Sequence, residues 1–321
     1  MRAVVVSRHG GPKVLVPAEQ PDPRPGPGEV AVELAAIGIN YHDIYERSGL
    51  YTRDLPYIPG REAAGFVVSK SDGVTNVAVG DAVVSVDVPC AYAERAQVAA
   101  DRLLLVPEGI PVDMAAAVLL QGLTAHYLTR ASYAVQPGDT VLVHAAAGGT
   151  GQILTQFVKL LGGRVIGTVS TAGKERIARE AGVDEVIRYD DNDFAAAVRR
   201  LTGGEGVSAV YDAVGRDTFA GSLRSLSRCG TLVLYGQASG KVPTFEPSRL
   251  SEGSLSLTRP MLPDYIVTPQ QLRDRANQVL AMVAEGKLTV RIGGRYGLAD
   301  ARAAHEDLEG RRTTGKLLLI P

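Results

Sequence analysis

The chain predicts an α/β protein made of a β-rich first domain followed by a doubly wound parallel sheet. Three observations carry this expectation. Residues 3 to about 106 are rich in Val, Gly and Pro and carry short strand-like runs with little helical period. From about 126 to 260 apolar strands alternate with helical segments, as a parallel sheet with crossover helices requires. Within that stretch, Val141-Leu142-Val143-His144-Ala145-Ala146-Ala147-Gly148-Gly149-Thr150-Gly151 reads as a buried strand turning through small residues into a helix.

The first domain is expected to hold strands at 3–6, 29–37, 63–68 and 82–86, with the proline-rich segment 21–28 as a stiff surface loop that lacks ladder donors. The alternating region predicts strand 141–144, a helix to about 161, strand 164–168, helix 172–181, strand 185–188, helix 192–201, strand 207–212, helix 217–227 and strand 230–235. A helix near 269–285, another near 299–308 and a last strand from Lys316 to Ile320 return the chain to the first domain. The domains are therefore placed at 1–125 with 261–321, and at 126–260. A length of 321 residues suits two cores better than one.

The small-residue turn has the form of a phosphate cradle. Small side chains at 145, 148 and 151 keep it tight and let the backbone approach a pyrophosphate, while the following helix N-terminus offers amides and a favourable dipole. The first position is Ala145, so the strict G-x-G-x-x-G pattern is not met. The second strand ends about twenty residues after Gly148, where a dinucleotide fold reads the adenosine ribose. The chain there runs Gly167-Thr168-Val169-Ser170-Thr171-Ala172-Gly173-Lys174 and supplies no acidic side chain. That favours NADP over NAD, with Ser170 and Lys174 available to a 2′-phosphate. The alternative for Lys174 is that it merely opens a solvated helix.

The formal net charge of −1 leaves no basic footprint for nucleic acid or an anionic membrane. The longest apolar runs are too short to span a bilayer, and Met1-Arg2 leads directly into a strand with no signal-peptide layout. Cys90 and Cys229, widely separated, make neither a disulfide framework nor a metal cluster and suit a reducing cytosol. Cys229, beside Gly230 and a strand, is expected to be a buried filler.

Several segments resemble the quinone oxidoreductase (zeta-crystallin-like) branch of the medium-chain dehydrogenase/reductase superfamily. They are Asn40-Tyr41-His42-Asp43-Ile44-Tyr45, Arg47-Ser48-Gly49-Leu50-Tyr51, Leu55-Pro56-Tyr57-Ile58-Pro59-Gly60, Gln121 to Tyr127, Val141 to Gly151, Tyr211-Asp212-Ala213-Val214-Gly215, Tyr235 to Gly240, Leu257 to Pro260 and Leu308 to Lys316. The resemblance runs nearly end to end. It implies a GroES-like β-rich domain, a Rossmann domain, NADPH as cofactor, a small-molecule quinone or enone as substrate, a homodimer and a cytoplasmic location. The zinc alcohol dehydrogenases of the superfamily place a Cys near position 40 and a His near position 61; here stand Asn40 and Arg61, which with the shortage of cysteines leave too few ligands for zinc.

The resemblance also implies residue roles. The pyrophosphate lies on Ala147, Gly148, Gly149, Thr150 and Gly151, and the nicotinamide points toward Asn40 and Thr124. Lys174, Tyr189 and Arg311 surround the 2′-phosphate together with Ser170, while Val214, Tyr235 and Gly236 follow strand ends along the cofactor. Tyr45 and Tyr51 stand near the acceptor, to stack on a flat ring or donate to the oxygen that gains charge; with Asn40 they are the catalytic candidates. Each has a structural reading beside this one: the tyrosines as loop packing, Asn40 as a turn residue, Asp43 as a hydrogen-bonded structural carboxylate, Arg61 with Glu62 as an internal ion pair, His305 as a packed histidine. His126 and His144 are assigned no proton transfer. Two further activities stay open: reduction of an enone or enoyl-thioester double bond, and a purely NADPH-binding structural or RNA-binding role, against which the missing basic stripe counts.

Overall fold

The computed structural model describes residues 1–189 and 193–321, so the start expected at 192 for one helix lies outside the described residues. The chain divides into two compact units, Met1–Gln121 with Thr268–Pro321 and Gly122–Val267.

In the first unit, β1 (Arg2–Val6) pairs antiparallel with β2 (Leu15–Glu19). After the irregular proline-rich loop comes the long strand β3 (Glu29–Ile39), then α1 (Tyr41–Ser48), β4 (Glu62–Lys70), β5 (Ala82–Ser85), β6 (Arg95–Ala99) and β7 (Leu104–Leu105). Helix α2 (Val112–Tyr127) carries the chain into the second unit. That unit holds β8 (Thr140–Val143), α3 (Gly149–Leu160), β9 (Arg164–Val169), α4 (Ala172–Glu180), β10 (Glu185–Arg188), α5 (Phe194–Leu201), β11 (Val207–Asp212), α6 (Phe219–Ser225), β12 (Leu226–Leu234) and β13 (Ser256–Thr258). Returning to the first unit, the chain forms α7 (Pro269–Ala284), β14 (Ile292–Gly297), α8 (Ala301–Glu309) and β15 (Lys316–Ile320).

The first unit is a sheet of order β14-β15-β3-β4-β5-β7, with β6 also paired to β3. Strand β3 organises it because its 11 residues are long enough to pair with β4, β6 and β15 at different positions along its length. Val32, Ile37, Val67, Val83, Tyr92 and Leu319 belong to its core. Gly65 faces Leu34 where the β3–β4 register shifts, and a Cβ there would stand 2.0 Å from the Glu33 carbonyl oxygen.

The second unit is the expected parallel sheet, of order β10-β9-β8-β11-β12-β13. Strand β8 is central; Val141, Leu142 and Val143 are fully buried, which is why that run reads as continuously apolar. Gly167 in β9 has a counterpart reason: a Cβ on it would meet the Ala146 and Val183 side chains at 2.8 and 2.9 Å.

The departures from expectation have local causes. Helix α2 is apolar on nearly all sides, with Ala115 to Leu119 fully buried, so it lacks the amphipathic period that marks a surface helix. Helix α1 is polar and is established by a capping box between Asn40 and Asp43. The helix expected to reach 227 ends at Ser225, and β12 begins at once, with Leu226 paired to Val207. Cys229 is exposed, not a buried filler; it sits at φ +58° where the β11–β12 register shifts. The short strands β2, β7 and β13 carry no alternating run of their own, and the alternation of β6, Arg95-Ala96-Gln97-Val98, spans too few residues to mark a strand.

Gly65→Ala should lower the urea midpoint by the equivalent of about 1–3 kcal/mol, since the clash is with backbone that cannot rotate away; an unchanged midpoint would show that β3 and β4 separate without cost.

Candidate functional site

The turn after β8 places its small residues where backbone approaches backbone. Ala145 takes φ +52°, a conformation glycine adopts freely and alanine does not. Its carbonyl points back at the helix: it accepts from the Gly148 N–H at 2.8 Å, and a Cβ on Gly151 would come within 2.4 Å of the same oxygen. Gly148 is the N-cap of α3 and offers no side chain to the first-turn amides, which leaves that helix end to an external anion. Ala147 is buried, and Gly148, Gly149 and Thr150 are half-buried beside it. This geometry fits a pyrophosphate.

The other predicted cofactor residues of this unit lie at strand ends. Ser170 and Lys174 follow β9, where Thr171 caps α4 by accepting from the Lys174 N–H at 3.2 Å; both are half-buried, and no Asp or Glu stands among residues 167–174. Val214 lies in the loop after β11, and Tyr235 and Gly236 follow β12. The two loops interlock: the Asp212 carbonyl accepts from the N–H groups of Tyr235 and Gly236, and Val214 accepts from Ser239. A Cβ on Gly236 would lie 2.5 Å from the Ala213 carbonyl oxygen. Thr124, on α2, is 8% exposed.

Tyr189, after β10, belongs to a buried polar chain across four adjacent strands. Its hydroxyl lies 2.9 Å from His144 Nδ1 and accepts from Thr168 Oγ1 at 2.7 Å. His144 Nε2 lies 3.0 Å from Ser222 Oγ, which donates to Asp212 Oδ2 at 2.8 Å. Asp212 also accepts from Thr218 and from the N–H groups of Val214 and Gly215. Burial holds His144 below the ordinary histidine range, against the pull of Asp212. The spacing of these residues along the chain held no sign of this chain of bonds.

In the first unit Asn40 is 6% exposed and its amide is engaged on both sides. Nδ2 donates to the Gly38 carbonyl at 3.1 Å and to Glu62 Oε2 at 2.9 Å, while Oδ1 accepts from Lys316 Nζ at 2.8 Å. Lys316 also bonds Glu62 Oε2 at 2.6 Å, and Glu62 Oε1 accepts from the Leu120 N–H at 2.6 Å. The ion pair expected between Arg61 and Glu62 is thus replaced by Lys316–Glu62, with both side chains fully buried. Successive residues entering a strand point to opposite faces, and Arg61 turns instead to His42 Nε2 at 3.1 Å and Asp87 at 3.8 Å. No group of three or more His, Cys, Asp or Glu side chains among the described residues is placed to hold a metal ion.

Tyr45 and Tyr51 come together, ring centroids 5.2 Å apart edge to face, with His42 against Tyr51 at 5.4 Å. Tyr45 is buried and Tyr51 half-buried. Burial raises the Tyr41 phenol above its ordinary value, and Arg311, exposed and at φ +55°, pulls the other way from nearby.

Behind α1 runs a second buried chain. Asp43 Oδ2 accepts from the Asn40 N–H at 2.9 Å and the Tyr92 hydroxyl at 3.0 Å, so Tyr92 accepts from His305 Nε2 at 2.9 Å. His305 Nδ1 then accepts from Arg47 at 3.3 Å. The structural readings of Asp43 and His305 describe these contacts; Tyr92, Arg47 and Lys316 are partners that no local pattern announced. Burial, with Arg47 beside it, lowers His305 to about 3, and burial raises Asp43 to about 7 despite its two donors.

A parallel sheet with a phosphate turn, joined to a β-rich unit drawn from both parts of the chain outside it, defines a medium-chain dehydrogenase/reductase. The model for the zinc-binding dehydrogenase family matches residues 181–319, and that for the alcohol dehydrogenase GroES-like domain matches residues 26–135. The chain is 44% identical over 319 residues to a quinone oxidoreductase of Salmonella typhimurium, covering 98% of each. It is 38% identical to a 2-haloacrylate reductase of a Burkholderia species, over 99% of this chain and 98% of the other. The structure of Escherichia coli quinone oxidoreductase complexed with NADPH superposes with a TM-score of 0.97 at 42% identity, covering all of both chains. The chain belongs to the quinone oxidoreductase family.

Two outcomes follow from this geometry. Gly151→Ala should weaken binding of NADPH at least tenfold in a fluorescence titration, because α3 must move off the Ala145 carbonyl; unchanged affinity would remove the turn from the cofactor site. The second concerns pH. A depressed His305 contributes stability that is complete above its ordinary value of 6.5 and lost as pH falls toward 3. A raised Asp43 acts oppositely, favouring the fold below 3.8 and withdrawing that advantage as pH rises toward 7. Between pH 4 and 6.5, His305→Gln should therefore flatten the rise of Tm with pH and Asp43→Asn should steepen it.

Proposed function

We propose that this protein is an NADPH-dependent quinone reductase that works without zinc. The observation that carries the reading is the glycine-capped α3 behind the Ala145 carbonyl, followed by a β9 end with Ser170 and Lys174 and no acidic residue. The family membership supplies the substrate class. Bound NADPH supplies a hydride for transfer to an electrophilic acceptor.

The chain's part is to bind and orient. The backbone of Ala147, Gly148, Gly149, Thr150 and Gly151 holds the pyrophosphate; Ser170, Lys174, Tyr189 and Arg311 hold the 2′-phosphate; Val214, Tyr235 and Gly236 line the cofactor along the strand ends. Asn40 and Thr124 serve the nicotinamide, and Tyr45 with Tyr51 receives the flat acceptor. Asn40 is held rigid by Glu62 and Lys316, so it acts as a fixed polar surface. Asn40 and Arg61 at the positions of two zinc ligands support a reaction with no metal Lewis acid, which suits an acceptor that is already electrophilic. The resemblance supports a homodimer and a cytoplasmic location.

A second reading is reduction of an activated carbon–carbon double bond, favoured by the identity to the 2-haloacrylate reductase.

Chelator-treated protein should oxidise NADPH in the presence of benzoquinones, naphthoquinones or phenanthrenequinone, more readily than NADH. Turnover only with enones would transfer the assignment to alkene reduction. Lys174→Ala and Arg311→Ala should each raise the Kd for NADPH by roughly ten- to a hundredfold, the worth of a charge-assisted phosphate contact, and leave NADH unchanged. Equal losses for both cofactors would refute the 2′-phosphate assignment.

A further inference from the structure

We infer that Arg61 selects for acceptors that carry a negative charge, quinones bearing a carboxylate group, by pairing with that group beside Tyr51. The inference rests on the quinone reductase reading above and narrows its substrate class.

The line from Arg61 to the two tyrosines assigned to the acceptor is continuous within the first unit. Arg61 Nη1 lies 3.1 Å from His42 Nε2, the His42 ring stands edge to face with Tyr51 at 5.4 Å, and Tyr51 stands the same way with Tyr45 at 5.2 Å. Backbone bonds fix both ends of this line. The Tyr51 N–H donates to the Tyr45 carbonyl at 3.0 Å, which folds the segment after α1 back on the helix, and the Arg61 carbonyl accepts from the Val88 N–H at 3.0 Å. Arg61 also directly precedes Glu62, whose carboxylate holds the Asn40 amide assigned to the nicotinamide.

The charge on Arg61 is poorly matched by its surroundings. A guanidinium has five N–H donors and cannot accept. One of them goes to His42 Nε2, so that imidazole is neutral with its proton on Nδ1; burial, with Arg61 and Arg53 beside it, lowers it to about 4. Its Nδ1 lies 3.8 Å from Glu46 Oε1, too far to bond. The carboxylate that Arg61 faces, Asp87 Oδ1, stands 3.8 Å from Nη2, and the other oxygen of Asp87 accepts from Arg102 Nε at 2.8 Å. Glu46 is taken in the same way by Arg53 at 3.3 Å. Three guanidiniums therefore face two carboxylates, and Arg61 is the one with no hydrogen-bonded carboxylate among the described residues. Its side chain is 32% exposed, open enough for a ligand to reach and shielded enough for an ion pair there to be stronger than in bulk water. A planar donor fork in that position fits a carboxylate.

The test is steady-state kcat/KM, at saturating NADPH, for phenanthrenequinone-2-carboxylate and its methyl ester with wild type, Arg61→Gln and Arg61→Lys. The two acceptors share one ring system and differ in charge. Wild type should favour the carboxylate about tenfold, through KM, the worth of one charge-assisted contact, and the ratio should shrink as salt is added. The ratio should fall to about one in Arg61→Gln and lie between in Arg61→Lys, which keeps the charge but not the fork. An arginine kept only to brace His42 would lose both acceptors alike, so a ratio that survives Arg61→Gln overturns the inference. A wild-type ratio at or below one overturns it without any variant having to fold. Weaker NADPH binding by Arg61→Gln in a fluorescence titration would assign the guanidinium to the cofactor and overturn it too. Failure of the underlying reading is distinguishable: wild type would then turn over neither quinone, whereas turnover of the ester alone keeps that reading and sinks this inference.

Discussion

Taking Lys316 and Glu62 out of water costs several kcal/mol per ion, and only close, complementary contacts offset it. Both side chains are fully buried, at the start of β15 and of β4. The Glu62 carboxylate meets three donors, Lys316, the Asn40 amide and the Leu120 N–H. Each partner is fixed by this need: Asn40 ends β3 and opens α1, Leu120 sits on α2, and Gly38 must lack a side chain because a Cβ would stand 2.3 Å from Glu62 Oε2. The first unit is organised around a charge that has no other place to go.

The second unit solves a different problem, the approach of backbone to backbone. Gly151 and Gly236 lie within 2.5 Å, at their missing Cβ, of the carbonyl oxygens of Ala145 and Ala213. One contact brings α3 down on the turn after β8; the other packs the loop after β12 on the loop after β11. Asp212 serves both ends of the sheet edge, since its carboxylate orders the Val214–Gly215 turn and anchors the hydroxyl chain to Tyr189. Small residues and one buried carboxylate together shape the surface on which a dinucleotide would lie.

The chemistry assigned to the protein follows from what these constraints leave available. Asn40 spends both amide hydrogens inside the protein, and Arg61 is turned to His42 and Asp87. His305 and His144 are buried and held below the usual histidine range, which removes them as proton donors near neutral pH and makes them fixed links in their chains. An architecture that spends its polar groups on rigidity is suited to placing a hydride donor against an acceptor that needs little further activation.

The sequence by itself determined the fold class, because buried parallel strands must be continuously apolar and their crossover helices must alternate with them; Val141 to Gly151 stated both rules within eleven residues. It also favoured NADP over NAD at the end of β9, where the absence of an acidic residue is readable without coordinates. Helix α2 was not legible because it is apolar all round and shows no amphipathic period, whereas α1 carries Tyr41, Ile44 and Tyr45 at helical spacing but over only eight residues, too few to stand out in a β-rich stretch. Only the tertiary structure decided which buried charges pair. Lys316 meets Glu62 across 254 residues, and Arg47 meets Glu309 across 262, whereas Arg61, adjacent to Glu62 in the chain, points elsewhere. A charge taken out of water accepts whatever partner the packed chain brings within hydrogen-bond reach, and separation along the sequence has no part in that choice.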